Sequence, residues 1–445
     1  MTHSHMRLCR SLLSACLFLF VASSHSQIIH ETDILAPNKN VATTGLGAYD
    51  IAMNESVIAM TAWSASGNAV GEQDGAVFLF DRMTHKQIGL IRSNYRSDGF
   101  FPYAMDVDED VLVATDRSDT QLQGVIHVFD INSRVLLRTI TTSTNNFGNA
   151  FGTSVAVANG KVAVSASNED NQGIPDGAVY VFDIHTGEQL YRLVPVGAVS
   201  PAGIQFGSEL YMDNEYIYVG APNNNDREPN SGAVYLYDAV TGEYVHTFYP
   251  NDPQTGAEFG KQISVSNHVL AVGASRADWT SSSSGAVYLF DIKSGVQFRK
   301  LTPCGDIKFF KFGNSLSIDQ DTLVIGAAGD YRESPNIGSF FVHNLSTSSL
   351  IANYFHTVFN GPTWIDSTVA LNGDDLIYRI RGNEVPGESI AAISKVPCAP
   401  DLEPDGHINF LDIQVFISEM PDLTCDGRFN FFDISVFLRN FQSCP

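Results

Sequence analysis

Two short stretches near the carboxyl end of the chain carry the residue types and the spacing of calcium loops. The first covers residues 401–412 (DLEPDGHINFLD), and the second covers 422–433 (DLTCDGRFNFFD). Each places oxygen-bearing side chains at loop positions 1, 3, 5, 9 and 12, and glycine at position 6, where the chain must turn sharply. Calcium takes six to eight oxygen ligands, and position 7 supplies a backbone carbonyl. The sequence therefore predicts two calcium ions in this tail.

The two predicted ligand sets differ in charge. The first set is Asp401, Glu403, Asp405, His407, Asn409 and Asp412. The second set is Asp422, Thr424, Asp426, Arg428, Asn430 and Asp433. His407 and Arg428 stand at position 7 and would contribute only their carbonyl oxygens. Because the second loop has fewer carboxylates than the first, we expect it to bind calcium more weakly.

Each loop is followed by an apolar run at helical spacing, and the pair resembles the type I dockerin module. The dockerin pattern D-x-N-x-D-G-x-I-N-x-x-D maps onto both loops, with departures at Glu403 and Thr424. The resemblance implies docking to a cohesin-like protein or another surface receptor. By the same resemblance, the docking residues are Phe410, Leu411, Phe431 and Phe432. These apolar side chains could equally form the core of the module itself.

The dockerin-like module, residues 398–445, is too small to fold on its apolar core alone and needs metal, a disulfide or both. Cys398 and Cys444 flank the module, and we favour their pairing. That pairing would leave Cys304 and Cys425, whose bond would tie the module to the rest of the chain. The sequence alone does not choose among the three pairings of four cysteines.

The first residues of the chain have the pattern of a secretion signal. Arg7 and Arg10 precede a short apolar run over residues 12–22, and small residues follow it. The run is too short to span a bilayer. Residues 13–16 (LSAC) resemble a lipoprotein cleavage box, although the apolar run continues past Cys16. We expect residues 1–26 to be removed and the protein to be secreted, either free or attached to the cell surface.

The charge of the chain excludes two classes of partner. With 26 Lys and Arg against 49 Asp and Glu, the formal net charge is −23. Nucleic acids and anionic membrane surfaces attract basic patches, so neither is expected as a partner. Beyond the signal, no segment is apolar enough to cross a membrane.

A repeat fills residues 27–397. Units of about fifty residues begin with Phe-Gly at Phe151, Phe206, Phe259 and Phe312, with weaker copies from residues 46, 101 and 364. Each unit contains four short apolar segments, strands A to D, separated by Gly- and Asn-containing turns. Four-stranded units at this period predict an all-β fold, a β-propeller of seven blades, with six as the alternative. Residues 28–35 can supply the strand that the last unit lacks.

The Phe-Gly pairs and the Val-Gly-Ala segments at 219–221 and 272–274 resemble the FG-GAP repeat, which is also found in integrin α chains. The resemblance implies the propeller fold and says little about function. Many FG-GAP blades carry a calcium loop between strands B and C. Residues 167–176 and 222–231 lack its ligand spacing, so no calcium is expected in the blades.

No catalytic residue is predicted. The chain has no nucleophile, metalloprotease or phosphate-binding motif, and His127 and His343 are interpreted as packing residues of strand C. The long B–C loops and D–A connectors share one face of the predicted disc, and binding usually lies on such loops. We therefore expect a non-catalytic binding or adhesion protein that takes a glycan or protein on this loop face. The alternative is a polysaccharide-degrading enzyme, a glycoside hydrolase or lyase, in a dockerin-organised assembly.

Overall fold

The computed structural model describes a set of ranges between residues 33 and 395. They are 33–35, 42–44, 50–62, 64–66, 75–92, 101–116, 124–141, 150–170, 176–197, 203–278, 283–303, 311–328, 339–346, 349–355, 364–373, 375–381 and 389–395. The predicted signal segment, the predicted calcium module at 398–445 and the four cysteines of the predicted mature chain lie outside these ranges. The predicted domain boundaries therefore remain predictions.

The described strands pair into seven four-stranded antiparallel sheets and one small two-stranded sheet. Two strands precede the repeats: β1 (Asp33–Leu35) and β2 (Ala42–Thr44). Sheet 1 contains β3 (Ile51–Met53), β4 (Val57–Ala62), β6 (Ala76–Asp81) and β7 (Gln87–Arg92), while β5 (Ser64–Ser66) pairs with β2. Sheet 2 contains β8 (Met105–Asp108), β9 (Val111–Asp116), β10 (Val125–Asp130) and β11 (Leu136–Thr141). Sheet 3 contains β12 (Phe151–Ala158), β13 (Lys161–Ala166), β14 (Ala178–Asp183) and β15 (Gln189–Leu193).

The remaining sheets follow the same order. Sheet 4 contains β16 (Leu210–Met212), β17 (Tyr216–Ala221), β18 (Ala233–Asp238) and β19 (Tyr244–Phe248). Sheet 5 contains β20 (Gln262–Ser266), β21 (Val269–Ala274), β22 (Ala286–Asp291) and β23 (Val296–Leu301). Sheet 6 contains β24 (Phe312–Asp319), β25 (Thr322–Ala327), β26 (Ser339–Asn344) and β27 (Ser349–Phe355). Sheet 7 contains β28 (Trp364–Asn372), β29 (Asp375–Arg381), β30 (Ser389–Lys395) and the amino-terminal strand β1.

The first strand of each sheet, strand A, lies innermost. The seven A strands (β3, β8, β12, β16, β20, β24 and β28) contact one another in sequence, and β28 contacts β3, so the ring is closed. Six sheets come from successive stretches of the chain, and the seventh combines its last three strands with β1. This arrangement confirms the all-β propeller class.

Two contacts close the ring between its first and last sheets. Strand β1 pairs with β30, with Ile34 opposite Ala392, so residues 33–35 complete sheet 7 as the sequence predicts. From sheet 1, the Arg82 side chain donates to Asp375 at 2.8 Å and to the carbonyl of Asn372 at 2.6 Å. Both charged side chains of the Arg82–Asp375 pair are largely buried. The closure therefore combines backbone pairing with a buried ion pair.

The Phe-Gly pairs hold neighbouring sheets together. Phe206, Phe259 and Phe312 are fully buried. Each of their carbonyl oxygens lies against the glycine that precedes strand C of the preceding sheet, and a Cβ atom at Gly232 would lie 2.0 Å from the Phe259 oxygen. Gly232 also has φ +90°, a conformation that costs other residues free energy. Only glycine fits at this junction, which explains why the motif repeats.

The C–D turns follow the predicted chemistry. At the end of β14, the Asp183 carboxylate accepts hydrogen bonds from the backbone N–H groups of His185 and Thr186 at 2.9 and 2.7 Å. These bonds, with one from the Thr186 hydroxyl, lower the pKa of Asp183. Gly187 then takes φ +77°. The predicted packing role of His127 also agrees with the structure, because this residue is buried between Phe101 and Phe129.

Candidate functional site

The predicted calcium ligands lie outside the described residues. These are Asp401, Glu403, Asp405, His407, Asn409, Asp412, Asp422, Thr424, Asp426, Arg428, Asn430 and Asp433. The calcium sites and their docking role stay predictions. Within the described ranges, no group of three or more His, Cys, Asp or Glu side chains suits a metal ion. The same ranges contain no helix with the length and apolar character needed to cross a membrane.

A cavity of about 580 Å³ lies on the axis of the ring. Every one of the seven A strands, or the residues that lead into it, contributes to its lining. Alternate residues of each A strand point toward the axis because side chains alternate along a strand. In sheets 3 to 6, the first axial position falls two residues after the Phe-Gly glycine, at Ser154, Glu209, Gln262 and Ser315.

Many axial side chains form hydrogen bonds to the backbone of the next sheet. The A strands are edge strands, so half of their N–H groups have no partner within their own sheet. An axial side chain of one sheet accepts a hydrogen bond from such an N–H group of the following sheet, and we call this bond a clasp. Eight clasps are formed: Asp50 to Met105, Asp106 to Val157, Asp108 to Asn159, Ser154 to Leu210, Ser264 to Ile318, Ser266 to Gln320, Ser317 to Leu371 and Asp319 to Gly373. Clasps satisfy backbone groups that the cavity would otherwise leave bare.

Two clasps use carboxylates in the interior. Asp50 accepts from Met105 at 3.0 Å, and Asp106 accepts from Val157 at 2.8 Å. Burial raises the pKa of Asp50 to about 6, although backbone hydrogen bonds act in the opposite direction. Burial likewise raises the pKa of Asp106 to about 7, and the charges of Asp50 and Asp108 add to this effect. The interior of the ring therefore holds carboxyl groups that titrate near neutral pH.

Three consecutive sheets lack a clasp at the first axial position. Here Glu209, Gln262 and Ser315 line the cavity side by side around the ring, and we call them the open arc. Within the described chain, the Glu209 carboxylate accepts no hydrogen bond, and burial together with the charge of Asp50 raises its pKa well above the ordinary value. The Ser315 hydroxyl is buried and has no hydrogen-bond partner. The open arc thus presents polar groups that the fold itself does not use.

A tyrosine separates this cavity from a second one. Tyr211 lines both cavities, donates its hydroxyl proton to the Val265 carbonyl at 3.0 Å, and packs edge-on against Tyr218. The second cavity, of about 710 Å³, lies among the A–B turns on the opposite face. Its lining includes Asn214, Asn267 and Asn372, together with turn carboxylates such as Asp213. Much of that carboxylate capacity is used locally, because Asp213 accepts from Glu215, Tyr216 and Tyr218.

The predicted loop face is described in part. In sheet 3, the buried Glu169 of the B–C loop accepts from the Tyr180 hydroxyl at 2.8 Å and from Arg192 at 2.5 Å. In sheet 4, Asn224 takes the corresponding place and donates to the Tyr235 hydroxyl at 3.0 Å. These polar loop residues satisfy buried strand-C tyrosines and are part of the packing.

The sequence analysis missed the open arc. A signal was present, because polar residues alternate with Val, Leu and Ile after the Phe-Gly pairs, as in Ser-Leu-Ser at 315–317. We interpreted those segments only as strands, without asking which alternate positions face the axis.

Two family matches agree with this architecture. The FG-GAP repeat family matches residues 245–290 and 296–343. The choice-of-anchor I domain matches residues 102–249. The chain carries FG-GAP repeats in a β-propeller. The search of curated proteins gave no significant match.

Solved structures support the fold of the FG-GAP propeller. A structure described as the RRP9 WD40 repeats is similar at 12% sequence identity and a TM-score of 0.53, covering 82% of this chain and 97% of that chain. At this identity, the similarity concerns the fold alone. The function of the FG-GAP propeller must therefore be argued from its own residues.

Proposed function

We propose that the protein is an exported binding protein with two working parts. The propeller binds a glycan or a protein, and the dockerin-like tail tethers the propeller to an extracellular or cell-surface complex when calcium is bound. The observation that carries the binding role is the axial cavity, where Glu209 and Ser315 present polar groups without partners. The signal-like amino terminus and the paired calcium loops support export and tethering. The name of the choice-of-anchor I domain is in line with an anchored protein.

The enzyme alternative finds less support at the axis. Glycoside hydrolysis usually needs two carboxyl groups that are free to act on the substrate. Glu209 is free, but both oxygens of Asp50 accept backbone N–H groups, from Ile51 at 2.9 Å and from Met105 at 3.0 Å. Both oxygens of Asp106 are used in the same way. The described carboxylates of the cavity interior therefore favour binding over catalysis.

Calorimetric titration of the full chain without its signal, residues 27–445, tests the tether. We expect two calcium-binding events, the weaker one at the second loop, and loss of one event with each of Asp405→Ala and Asp426→Ala. A pull-down from the secretome of the host should recover a cohesin-like protein or another surface receptor with calcium present and lose it with chelator. The double variant is the matched control. Absence of calcium binding would remove the tether from the proposal.

A glycan array and a protein-interaction screen with the same chain test the propeller. Binding that survives the double Asp405→Ala, Asp426→Ala change would assign the ligand to the propeller. Turnover of a polysaccharide by the purified chain would instead establish the enzyme alternative.

A further inference from the structure

The axial cavity is large enough for a small ligand, since about 580 Å³ falls in the range of small-molecule sites. Resting on the proposed binding function, we propose that the open arc is the site of a neutral sugar residue, either a free monosaccharide or the end of a glycan. The cavity end that receives it, at Thr153, Lys261 and Asn314, lies beside the connectors that lead to the predicted loop face.

The first argument is the number of polar groups without partners on one side of the cavity. Ser315 is 7% exposed, and its hydroxyl has no hydrogen-bond partner. Neither the carboxylate of Glu209 nor the side-chain amide of Asn314 forms a hydrogen bond within the described chain. Gln262 donates to the Lys261 carbonyl at 2.9 Å, and its amide oxygen stays available. A buried polar group without a partner costs free energy, so a ligand that supplies partners gains it back.

The second argument is the mixture of donors and acceptors. Carboxamides, a hydroxyl and a carboxyl group stand together, and sugar hydroxyls can both donate to and accept from such groups. An anionic ligand would meet the carboxyl groups of Asp50, Asp106 and Glu209. The nearby Lys261 is already paired with Glu258 at 2.7 Å. The charge pattern therefore favours a neutral ligand over an acidic one.

The third argument is a fixed aromatic floor. The rings of Tyr103 and Tyr211 both line the cavity. Tyr211 is held by its bond to the Val265 carbonyl and by its packing against Tyr218, so its ring needs no reordering on binding. The C–H groups on one face of a sugar ring pack well on such a surface, while its hydroxyls reach the open arc. A site that is already ordered loses less entropy when it binds.

The test uses the chain 27–445 and a panel of neutral monosaccharides: glucose, galactose, mannose, xylose and N-acetylglucosamine. Glucuronate serves as the anionic comparison, and calcium chloride alone as the cation comparison. Saturation-transfer NMR detects binding, and calorimetry gives the dissociation constant. We expect at least one neutral sugar to bind, and we expect glucuronate not to.

Variants locate the site. Glu209→Ala and Ser315→Ala should each weaken sugar binding about tenfold or more, which corresponds to about 1.4 kcal/mol. Asn267→Ala, in the second cavity, should leave it unchanged. Thermal unfolding of each variant confirms that the ring is intact, and Ser315→Ala is expected to fold normally because it breaks no hydrogen bond.

Three results would overturn the inference. They are the absence of binding by every neutral sugar at millimolar concentration, binding that ignores Glu209→Ala and Ser315→Ala, and binding of calcium or glucuronate alone at the arc. Sugar binding that Asn267→Ala abolishes would place the ligand in the second cavity and leave the proposed binding function standing. Calcium-dependent tethering without any sugar binding would remove only this inference.

Discussion

Neighbouring sheets of the propeller are joined in two different ways. Toward the loop face, the carbonyl of a Phe-Gly phenylalanine lies against a glycine of the preceding sheet, as at Gly177, Gly232 and Gly285. Along the axis, side-chain clasps join the A strands, and their chemistry changes from one junction to the next. Asp50 and Asp106 serve between sheets 1, 2 and 3, whereas serines serve between sheets 5, 6 and 7.

The difference separates what the fold requires from what it tolerates. At the Phe-Gly junction two backbones touch, and no side chain can replace glycine. At the axis any short acceptor can make a clasp, and three sheets do without one at the first axial position. Variation is therefore free to accumulate at the axis, which is where a binding site can develop without loss of the fold.

The largest expected effect comes from breaking the backbone junction. Gly232→Ala would place a methyl group 2.0 Å from the Phe259 oxygen at φ +90°. Left-handed strain and overpacking together should lower the free energy of unfolding by about 4 kcal/mol. The matched control is Gly256→Ala, where φ is +76° but nothing lies within 4 Å, and about 1 kcal/mol is expected. Chemical denaturation of both variants measures the difference, and equal losses would contradict the role of the backbone contact.

Opening the closure between sheets 1 and 7 should cost somewhat less. Arg82→Met would leave the buried Asp375 carboxylate without its ion pair, with an expected loss of about 3 kcal/mol. A variant that also carries Asp375→Leu should recover much of this loss, because no buried charge is then left unpaired. Urea denaturation of the single and double variants tests the prediction. If the double variant is less stable than Arg82→Met alone, the closure depends on polar contacts beyond the ion pair.

The carboxylate clasps predict a pH dependence that the serine clasps lack. Because the pKa of Asp106 is raised to about 7 in the folded protein, its protonated form stabilises the fold at acidic pH. That contribution is complete below about pH 4 and is lost as pH rises through about 7. The stability of the native chain relative to Asp106→Asn should therefore fall by about 2 kcal/mol between pH 4 and 7, part of the limit set by about 1.4 kcal/mol per pKa unit.

Asp183→Asn provides the control for this titration. The pKa of Asp183 is lowered by its turn hydrogen bonds, so its contribution is lost only as pH falls below about 4. Thermal unfolding across the range should show a sloping difference for Asp106→Asn and a flat one for Asp183→Asn. A flat difference for both would mean that Asp106 is not held in a desolvated site.

The same contrast explains how far the sequence could be interpreted. Phe259 and Gly232 announce themselves because the junction admits no substitute, so the repeat, the strands and the propeller were predictable. The clasps were not, because Asp106 and Ser264 do the same work at equivalent positions. Glu209 and Ser315 show no local pattern of a site, since they meet only when the ring closes.

The smallest predicted effect compares two serines on one strand. Ser317 accepts from the Leu371 N–H at 2.9 Å, whereas the hydroxyl of Ser315, two residues earlier, has no partner. Ser317→Ala should lower the free energy of unfolding by about 1 kcal/mol because a buried N–H group loses its acceptor. Ser315→Ala should leave it unchanged or slightly raised, since a buried hydroxyl without a partner is removed. If chemical denaturation gives equal losses for the two variants, the distinction between clasped and open positions does not hold at the axis, and the open arc loses its basis as a site kept free for a ligand.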